Sequence, residues 1–399
     1  MVRSMPPPIS AEQPKPQRTL TPALLGVMWM ALFGFGTFFL NYSTLVNIGQ
    51  RLGLSAVTAG TVLTTMMVAV VVIQPAVPAL NRRLGARYTF LTAIGLQALG
   101  HLCTVVIPEP FVALLIGSVV SGLGFGTLVV IGTAVVPSTV APDRLGKALG
   151  FFGATTATAT AIGAPLGLWL LTVLSSTGVK WLSFALLLLA IPAIAAVPTK
   201  HVTEQAGPHS AGQSAAPPVR RMRVVGLAAV LLPTAIVLTV LGLVVAFGPA
   251  AEDASPVWYI AVMQVFVIGG RFLGSATLDR HAASAVMTTG LAITLIGLVF
   301  AAVLPAGWVL LLAMAVLGFG TGSVQAASLL LAFQQAGSPN RGSVAWNMTF
   351  DIGLAFAGLV GGVGFTVWGG HVTYLACAAV LLVASVAFRW YFRAKHQAQ

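Results

Sequence analysis

Twelve apolar runs dominate this sequence, at residues 21–46, 54–79, 88–106, 111–137, 148–174, 181–197, 224–248, 257–278, 284–304, 307–333, 343–367 and 372–392. About 20 apolar residues in a helix cross a hydrocarbon core of about 30 Å. Backbone inside lipid must bond to itself, so each run is expected as a spanning helix. Charged residues make up only 7% of the chain, against about 25% in a soluble domain, and so few cannot build a water-facing surface. The expected fold class is an all-α membrane protein of twelve transmembrane helices.

The net charge of +12 raises the question of nucleic acid, and the positions of the basic residues answer it. With both termini cytoplasmic, the inner loops and tails receive 17 Lys and Arg residues, and the outer side receives only Arg51 and Lys180. Lys and Arg are retained on the cytoplasmic side during insertion. That asymmetry fixes the orientation, supports an even number of helices and removes the nucleic-acid reading. A plasma (inner) membrane location, multi-pass with both ends inside, is expected.

Five organisational units follow: residues 1–19 as a disordered, proline-rich cytoplasmic tail; 20–198 as a six-helix bundle; 199–223 as a cytoplasmic linker rich in Ala, Pro, Gly and Ser; 224–392 as a second six-helix bundle; and 393–399 as a short tail. The halves carry faint copies of each other. Leu-Gly-Phe-Gly-Thr stands at 123–127 and again at 317–321, while Arg144 and Arg341, and Arg83 and Arg280, are each 197 apart. A nearly constant offset argues for duplication of a six-helix unit.

On these features the chain resembles the major facilitator superfamily, and within it the twelve-helix drug/proton antiporters or sugar-efflux-like permeases. The resemblance implies two pseudo-symmetric six-helix bundles around a central cavity. The family's loop after the second helix reads Gly-x-x-x-Asp-Arg-x-Gly-x-Arg. Here Arg83, Gly85 and Arg87 match, while Pro78 and Arg82 replace the glycine and the acid. The equivalent loop of the second half keeps Asp279 and Arg280, so these five residues are expected to form the gating loops, with the charged latch retained on one side. The arginine that such exporters often carry in the fourth helix is replaced by Ser118. The fifth helix carries Gly163, Pro165 and Gly167 where exporters have Gly-Pro-x-x-Gly. Two glycines four apart permit close helix approach, and the proline removes a backbone donor, so a hinge is expected there.

Charges inside hydrocarbon cost at least about 2.5 kcal/mol each, so those kept there are candidates for chemistry. Two qualify, Arg271 in the eighth run and Asp351 in the eleventh. At about 1.5 Å per residue they lie roughly 10 and 12 Å deep from the cytoplasmic side, at matching levels. Asn347 precedes Asp351 by one turn, and Gln264 precedes Arg271 by two. Asn41, Tyr42, Gln74 and Gln325 complete the expected substrate cavity. Asp351 is expected to alternate between protonated and charged states as its exposure changes, so that inward proton flow drives outward movement of a small amphipathic or zwitterionic molecule. The competing reading of the pair is a permanent salt bridge.

Two other functions remain open at this level. An uncoupled or import-type facilitator fits the missing acid and arginine. A membrane-embedded enzyme or sensor needs a nucleophile with a base, or a metal cluster, and only His101 of the six histidines lies in an apolar run. Neither an ATP-binding Gly-x-x-x-x-Gly-Lys-Ser/Thr segment nor CxxC spacing for Cys103 and Cys377 is present. The expected protein is therefore not an enzyme, holds no metal or cofactor, and works as a monomer on a small molecule and protons.

Overall fold

The computed structural model describes residues 20–141, 144–197, 222–250, 256–278, 280–337 and 339–397. Among them are twelve helices long and apolar enough to span a bilayer: α1 (Pro22–Arg51), α2 (Ala56–Leu84), α3 (Ala86–Val106), α4 (Pro110–Ser138), α5 (Lys147–Val173), α6 (Ser176–Ala196), α7 (Val224–Phe247), α8 (Pro256–Leu278), α9 (Ala283–Val303), α10 (Trp308–Ala336), α11 (Arg341–Val367) and α12 (Gly369–Ala394). No strand occurs among the described residues. The tail 1–19, Asp143, Asp279 and all but two residues of the 199–223 linker lie outside them.

Local chemistry sets the helix ends. Thr21, Ser55 and Ser175 each accept a backbone N–H of the first turn, satisfying a donor that has no partner inside the helix. The Ser175 cap starts α6 five residues ahead of the apolar run and draws Lys180 into the helix, where it is 3% exposed. Lys180 is thus a buried residue and not the outer-loop charge expected from hydropathy. The last helix runs on to Gln397, past the expected boundary at 392. In α2 the ladder tightens to a 3-10 turn over Gln74–Ala76, because Pro75 supplies no N–H.

The spans run alternately, so one face of the bundle carries both described chain ends and the other carries the short 52–55, 107–109 and 304–307 connections. We call them the chain-end face and the opposite face.

Duplication is visible in the packing. Gly122 and Gly126 of α4 lie against the carbonyls of Met66 and Val70 on α2, and Gly318 and Gly322 of α10 lie against those of Met263 and Val267 on α8. The glycines are 196 apart and their partners 197, so the halves repeat this packing at offsets that differ by a single residue. Leu-Gly-Phe-Gly-Thr, read at 194, is therefore out of register by two. Glycine recurs at every second position there, and the sequence match slid one step along it.

The expected hinge residues sit where α5 approaches α1. Gly163 lies on Gly36, and a Cβ on Gly167 would stand 2.7 Å from the Leu40 carbonyl oxygen and 2.9 Å from its Cγ. Pro165 is inside the helix between them. A branched side chain at Gly163 meets backbone that cannot give way. Gly163→Val is expected to cost about 1–3 kcal/mol or more, read as a lowered thermal unfolding midpoint of the purified protein; an unchanged midpoint would contradict this packing.

Candidate functional site

The halves meet along α2 with α11, α5 with α8, and α1 with α7. Toward the opposite face the meeting is tight. Gly60 and Gly358 touch backbone to backbone, and a Cβ on Gly60 would lie 3.1 Å from the Gly362 Cα. Beside them the Thr64 hydroxyl donates to the Ala355 carbonyl at 2.8 Å, and the Tyr42 hydroxyl to the Leu354 carbonyl at 2.9 Å. Three small residues let the helices approach this closely, and the two hydroxyls satisfy themselves on carbonyls of the other half.

Below that closure the halves enclose a cavity of about 170 Å³. Its two walls differ in kind. The first half contributes Phe35, Phe39, Phe125 and Val129, with the hydroxyls of Thr156 and Thr160; the second contributes Gln264, Arg271, Gln325, Asn347 and Asp351, with Trp346 and Phe350. Phe125 is the centre of the aromatic wall, edge-on to Phe35 with centroids 4.9 Å apart and stacked on Phe38 at 3.6 Å. Trp346 is held by its indole N–H, which donates to Ser328 Oγ at 2.9 Å. Asn347 is exposed one turn nearer the chain-end face than Asp351, which is buried, so the cavity is reached from the chain-end side.

Asp351 takes its hydrogen bond from the other half. Gln74 Nε2 donates to Asp351 Oδ2 at 2.6 Å, which joins α2 to α11. Gln74 lies ten residues before Leu84 (84 − 74) and Asp351 ten residues after Arg341 (351 − 341), so both sit about 15 Å from the chain-end termini of their spans. The break at Pro75 leaves Gln74 at the end of a regular helix with its side chain turned to the partner half. Arg271 shares the cavity wall, yet no ion pair within 4.0 Å joins it to Asp351 among the described residues. The permanent salt bridge is absent from this structure.

Of the expected cavity residues, Gln264, Gln325 and Asn347 line it together with the two charges. Gln325 Nε2 is buried with no protein partner, leaving a donor free. Gln74 reaches the site through Asp351. Asn41 and Tyr42 do not line it: Tyr42 belongs to the closure above, and Asn41 Oδ1 accepts from Lys180 Nζ inside the first half. Tyr42 shares the face of Phe35 and Phe39 but lies nearer the opposite face, whereas Asn41 points away from the cavity side of α1; depth separates the one and helix rotation the other, and polarity alone reveals neither. The expected gating residues also separate. Arg87 ties α3 to the end of α6, donating to the Val197 carbonyl at 2.6 Å and the Ala195 carbonyl at 2.7 Å. Gly85 makes the turn with φ +79°, a conformation glycine adopts without strain. Arg83 and Arg280 are exposed, and Asp279 is outside the described residues. The aromatic wall was not among the expected residues. Its signal is the spacing of Phe35 and Phe39, one turn apart on one face of α1.

No group of three or more His, Cys, Asp or Glu capable of holding a metal occurs among the described residues.

Residues 24–345 match the family model described as Major Facilitator Superfamily. A relative from Bacillus subtilis (strain 168), the uncharacterized MFS-type transporter YfiU, is 34% identical over 97 residues; the match spans 24% of this chain and 18% of that protein. Among solved structures, the fold is similar to the POT family transporter PepTSo (TM-score 0.74, 13% identity, 96% of this chain and 100% of that one). It is also similar to a point mutant of the nucleoside transporter NupG (TM-score 0.71, 14% identity, 93% and 100%). A POT family transporter in complex with 5-aminolevulinic acid gives 0.75 at 11% identity, over 93% and 96%.

Proposed function

This chain belongs to the Major Facilitator Superfamily and is a multi-pass membrane transporter, and on that premise we propose that it exports a small amphipathic molecule in exchange for protons by alternating access. The chain-end face is read as cytoplasmic, because the Lys and Arg of the loops concentrate there. The cavity reached from that side is then the inward-facing state, closed outward at Gly60 and Gly358.

The observation that carries the reading is the placement of Asp351. It is the buried carboxylate of the cavity wall, and its hydrogen bond comes from the opposite half. As a carboxylate it accepts from Gln74 in a charge-assisted bond, about twice as strong as a neutral one. A proton on Asp351 removes that assistance and the buried charge together, so both the tie between the halves and the electrostatics of the cavity depend on one proton. A substrate bearing a polar or cationic group competes for the same oxygens. Mutual exclusion of proton and substrate at one carboxylate couples their movements. Arg271 on the same wall offers donors to an anionic or carbonyl group, and the aromatic wall opposite suits a flat apolar ring. An amphipathic molecule of modest size fits both surfaces.

Uncoupled facilitation is the second reading. It is favoured by Ser118, buried in α4 with its hydroxyl unpartnered, where related exporters place an arginine.

The test uses the purified protein in liposomes, with a panel of amphipathic aromatic fluorophores. An imposed pH gradient is expected to accelerate movement and a protonophore to abolish the acceleration. Equal rates with and without the gradient would leave the facilitator reading standing. Phe35→Ala removes one half-buried ring of the wall, and a ring contact is worth about 0.5–1.5 kcal/mol. The half-saturating concentration of a transported fluorophore should rise roughly 2- to 10-fold. No change would remove the aromatic wall from the binding surface.

A further inference from the structure

Three side chains of the second-half wall form a row across α8, α10 and α11: Arg271, Gln325 and Asp351. Packing sets their level. A Cβ on Gly322 of α10 would lie 2.7 Å from the Arg271 backbone nitrogen, and Gln325 follows Gly322 by one turn on the same helix. On the other side Trp346 of α11 donates to Ser328 of α10 at 2.9 Å, and Gly342 packs on Phe333. α10 and α11 run antiparallel, so the same register followed along α11 from Trp346 to Asp351 brings Asp351 level with Ser323. A base, an amide and an acid therefore stand side by side within about one turn of each other, with Gln325 in the middle.

All three keep bonding capacity that the protein does not use. Arg271 makes no hydrogen bond or ion pair with any described residue, and Gln325 Nε2 is buried without a partner. Asp351 engages Oδ2 with Gln74, which leaves Oδ1. The fold does not demand this arrangement. At the offsets of the glycine packing, 197 between α2 and α8 and 196 between α4 and α10, Arg271 corresponds to Gln74 and Gln325 to Val129. The first half packs the same helices with an amide and a valine. A substrate that displaces solvent from the cavity must meet the guanidinium, the free amide and the carboxylate itself, because a buried polar group left unbonded is costly and a charged one more so.

Net charge then selects the substrate. A simple amine neutralises Asp351 but meets a like charge at Arg271, and a simple acid satisfies Arg271 but is repelled by Asp351. A molecule with both an ammonium and a carboxylate satisfies the two at once. Size narrows the choice further, since about 170 Å³ is below the roughly 300–1,000 Å³ of sites for drug-sized ligands. Opposite the row stand the rings of Phe35 and Phe125.

We propose that the substrate is an aromatic α-amino acid, its carboxylate on Arg271 and Gln325 Nε2, its ammonium on Asp351 Oδ1 and its ring on the phenylalanine wall. The assignment rests on the reading of this cavity as the transport site. Carboxylate, ammonium and side chain branch from one carbon, so a short row of charges facing an aromatic wall grips all three together. Gln325 is then a substrate-binding residue, and its free donor takes one carboxylate oxygen while Arg271 takes the other.

Displacement of radiolabelled phenylalanine from the purified protein tests the assignment. Phenethylamine lacks the carboxylate and phenylpropionate lacks the amine. Each is expected to displace only at a concentration at least about 10-fold above that of unlabelled phenylalanine, because each forfeits a charge-assisted bond. Asp351→Asn keeps an oxygen for the ammonium, so the informative variant is at the other end of the row. Arg271→Met should bring phenylalanine and phenethylamine within about threefold of one another, whereas a merely damaged cavity weakens both and keeps their ratio. If Arg271→Met does not fold, the ligand series on the unaltered protein carries the test. Absence of saturable phenylalanine binding overturns the assignment, as does displacement by either truncated ligand as effective as by phenylalanine, or a ratio that Arg271→Met leaves unmoved. Binding is read without a pH gradient, so failure here leaves proton-driven export of another amphipathic molecule standing, and failure of the gradient to drive transport leaves the substrate class in place.

Discussion

Asp351→Asn should cut proton-driven substrate movement roughly 10- to 100-fold, the worth of a charge-assisted hydrogen bond of about 1.5–3 kcal/mol. Asparagine keeps the shape and can accept from Gln74 Nε2 through its own carbonyl, so the tie between α2 and α11 survives in neutral form and the protein should fold at normal yield. What it lacks is a site for the proton. Exchange of labelled for unlabelled substrate, which requires no net proton movement, should stay within about threefold of wild type. If gradient-driven movement in Asp351→Asn matched the wild type at equal protein, the carboxylate would have no part in coupling. A loss of exchange to the same degree would instead indicate a damaged cavity.

Gly358→Val should abolish closure of the opposite face. A Cβ at Gly358 would lie 2.9 Å from the Thr64 backbone nitrogen and nearer still to the Gly60 carbonyl oxygen. Backbone cannot rotate away as a side chain tip can, so the halves must separate there. Overpacking of this kind costs about 1–3 kcal/mol, and set against a two-state equilibrium that moves the populations roughly 5- to 150-fold toward the outward-open form. The measurement is the labelling rate of Thr64→Cys by an impermeant thiol reagent from the outer side, together with transport. Labelling should rise and transport fall at least about 10-fold. Gly95→Ala is the control, since nothing stands within 4 Å of a Cβ there. Labelling as slow in Gly358→Val as in the wild type would mean that the Gly60 contact does not govern closure.

The contacts between the halves occupy two levels. Asp351 and Gln74 join the halves within the cavity, whereas Tyr42 and Thr64 clasp α11 nearer the opposite face, at Leu354 and Ala355. All three bonds fall on residues 351–355 of α11 and reach partners in α1 and α2. Little more than one turn of α11 therefore carries these polar contacts, and a shift of that segment is felt at both levels.

Part of this was legible from residue types alone. Lipid excludes charge so strongly that Arg271 and Asp351 stand out with no knowledge of packing, and they do share a cavity wall with Gln264, Gln325 and Asn347. Lys180 escapes such a reading because a cap at Ser175 extends α6 beyond its apolar run. Polarity assigns Asn41 and Tyr42 to the cavity, yet α1 is buried nearly all round there; with neighbours on every face, periodicity no longer points to one of them. The aromatic wall leaves only the one-turn spacing of Phe35 and Phe39 in the sequence, and that spacing does not choose the cavity, since phenylalanine is as much at home facing lipid.

The sequence by itself determined the number of spans and their duplication, because transfer of a residue from water to hydrocarbon depends on that residue and little else. Only the tertiary structure decided that Asp351 answers to Gln74 and not to Arg271, that Tyr42 belongs to the closure between the halves, and that the two glycine-rich helices align at 196. Those outcomes depend on helix rotation, on a proline break and on a backbone cap, each fixed by contacts between residues far apart along the chain.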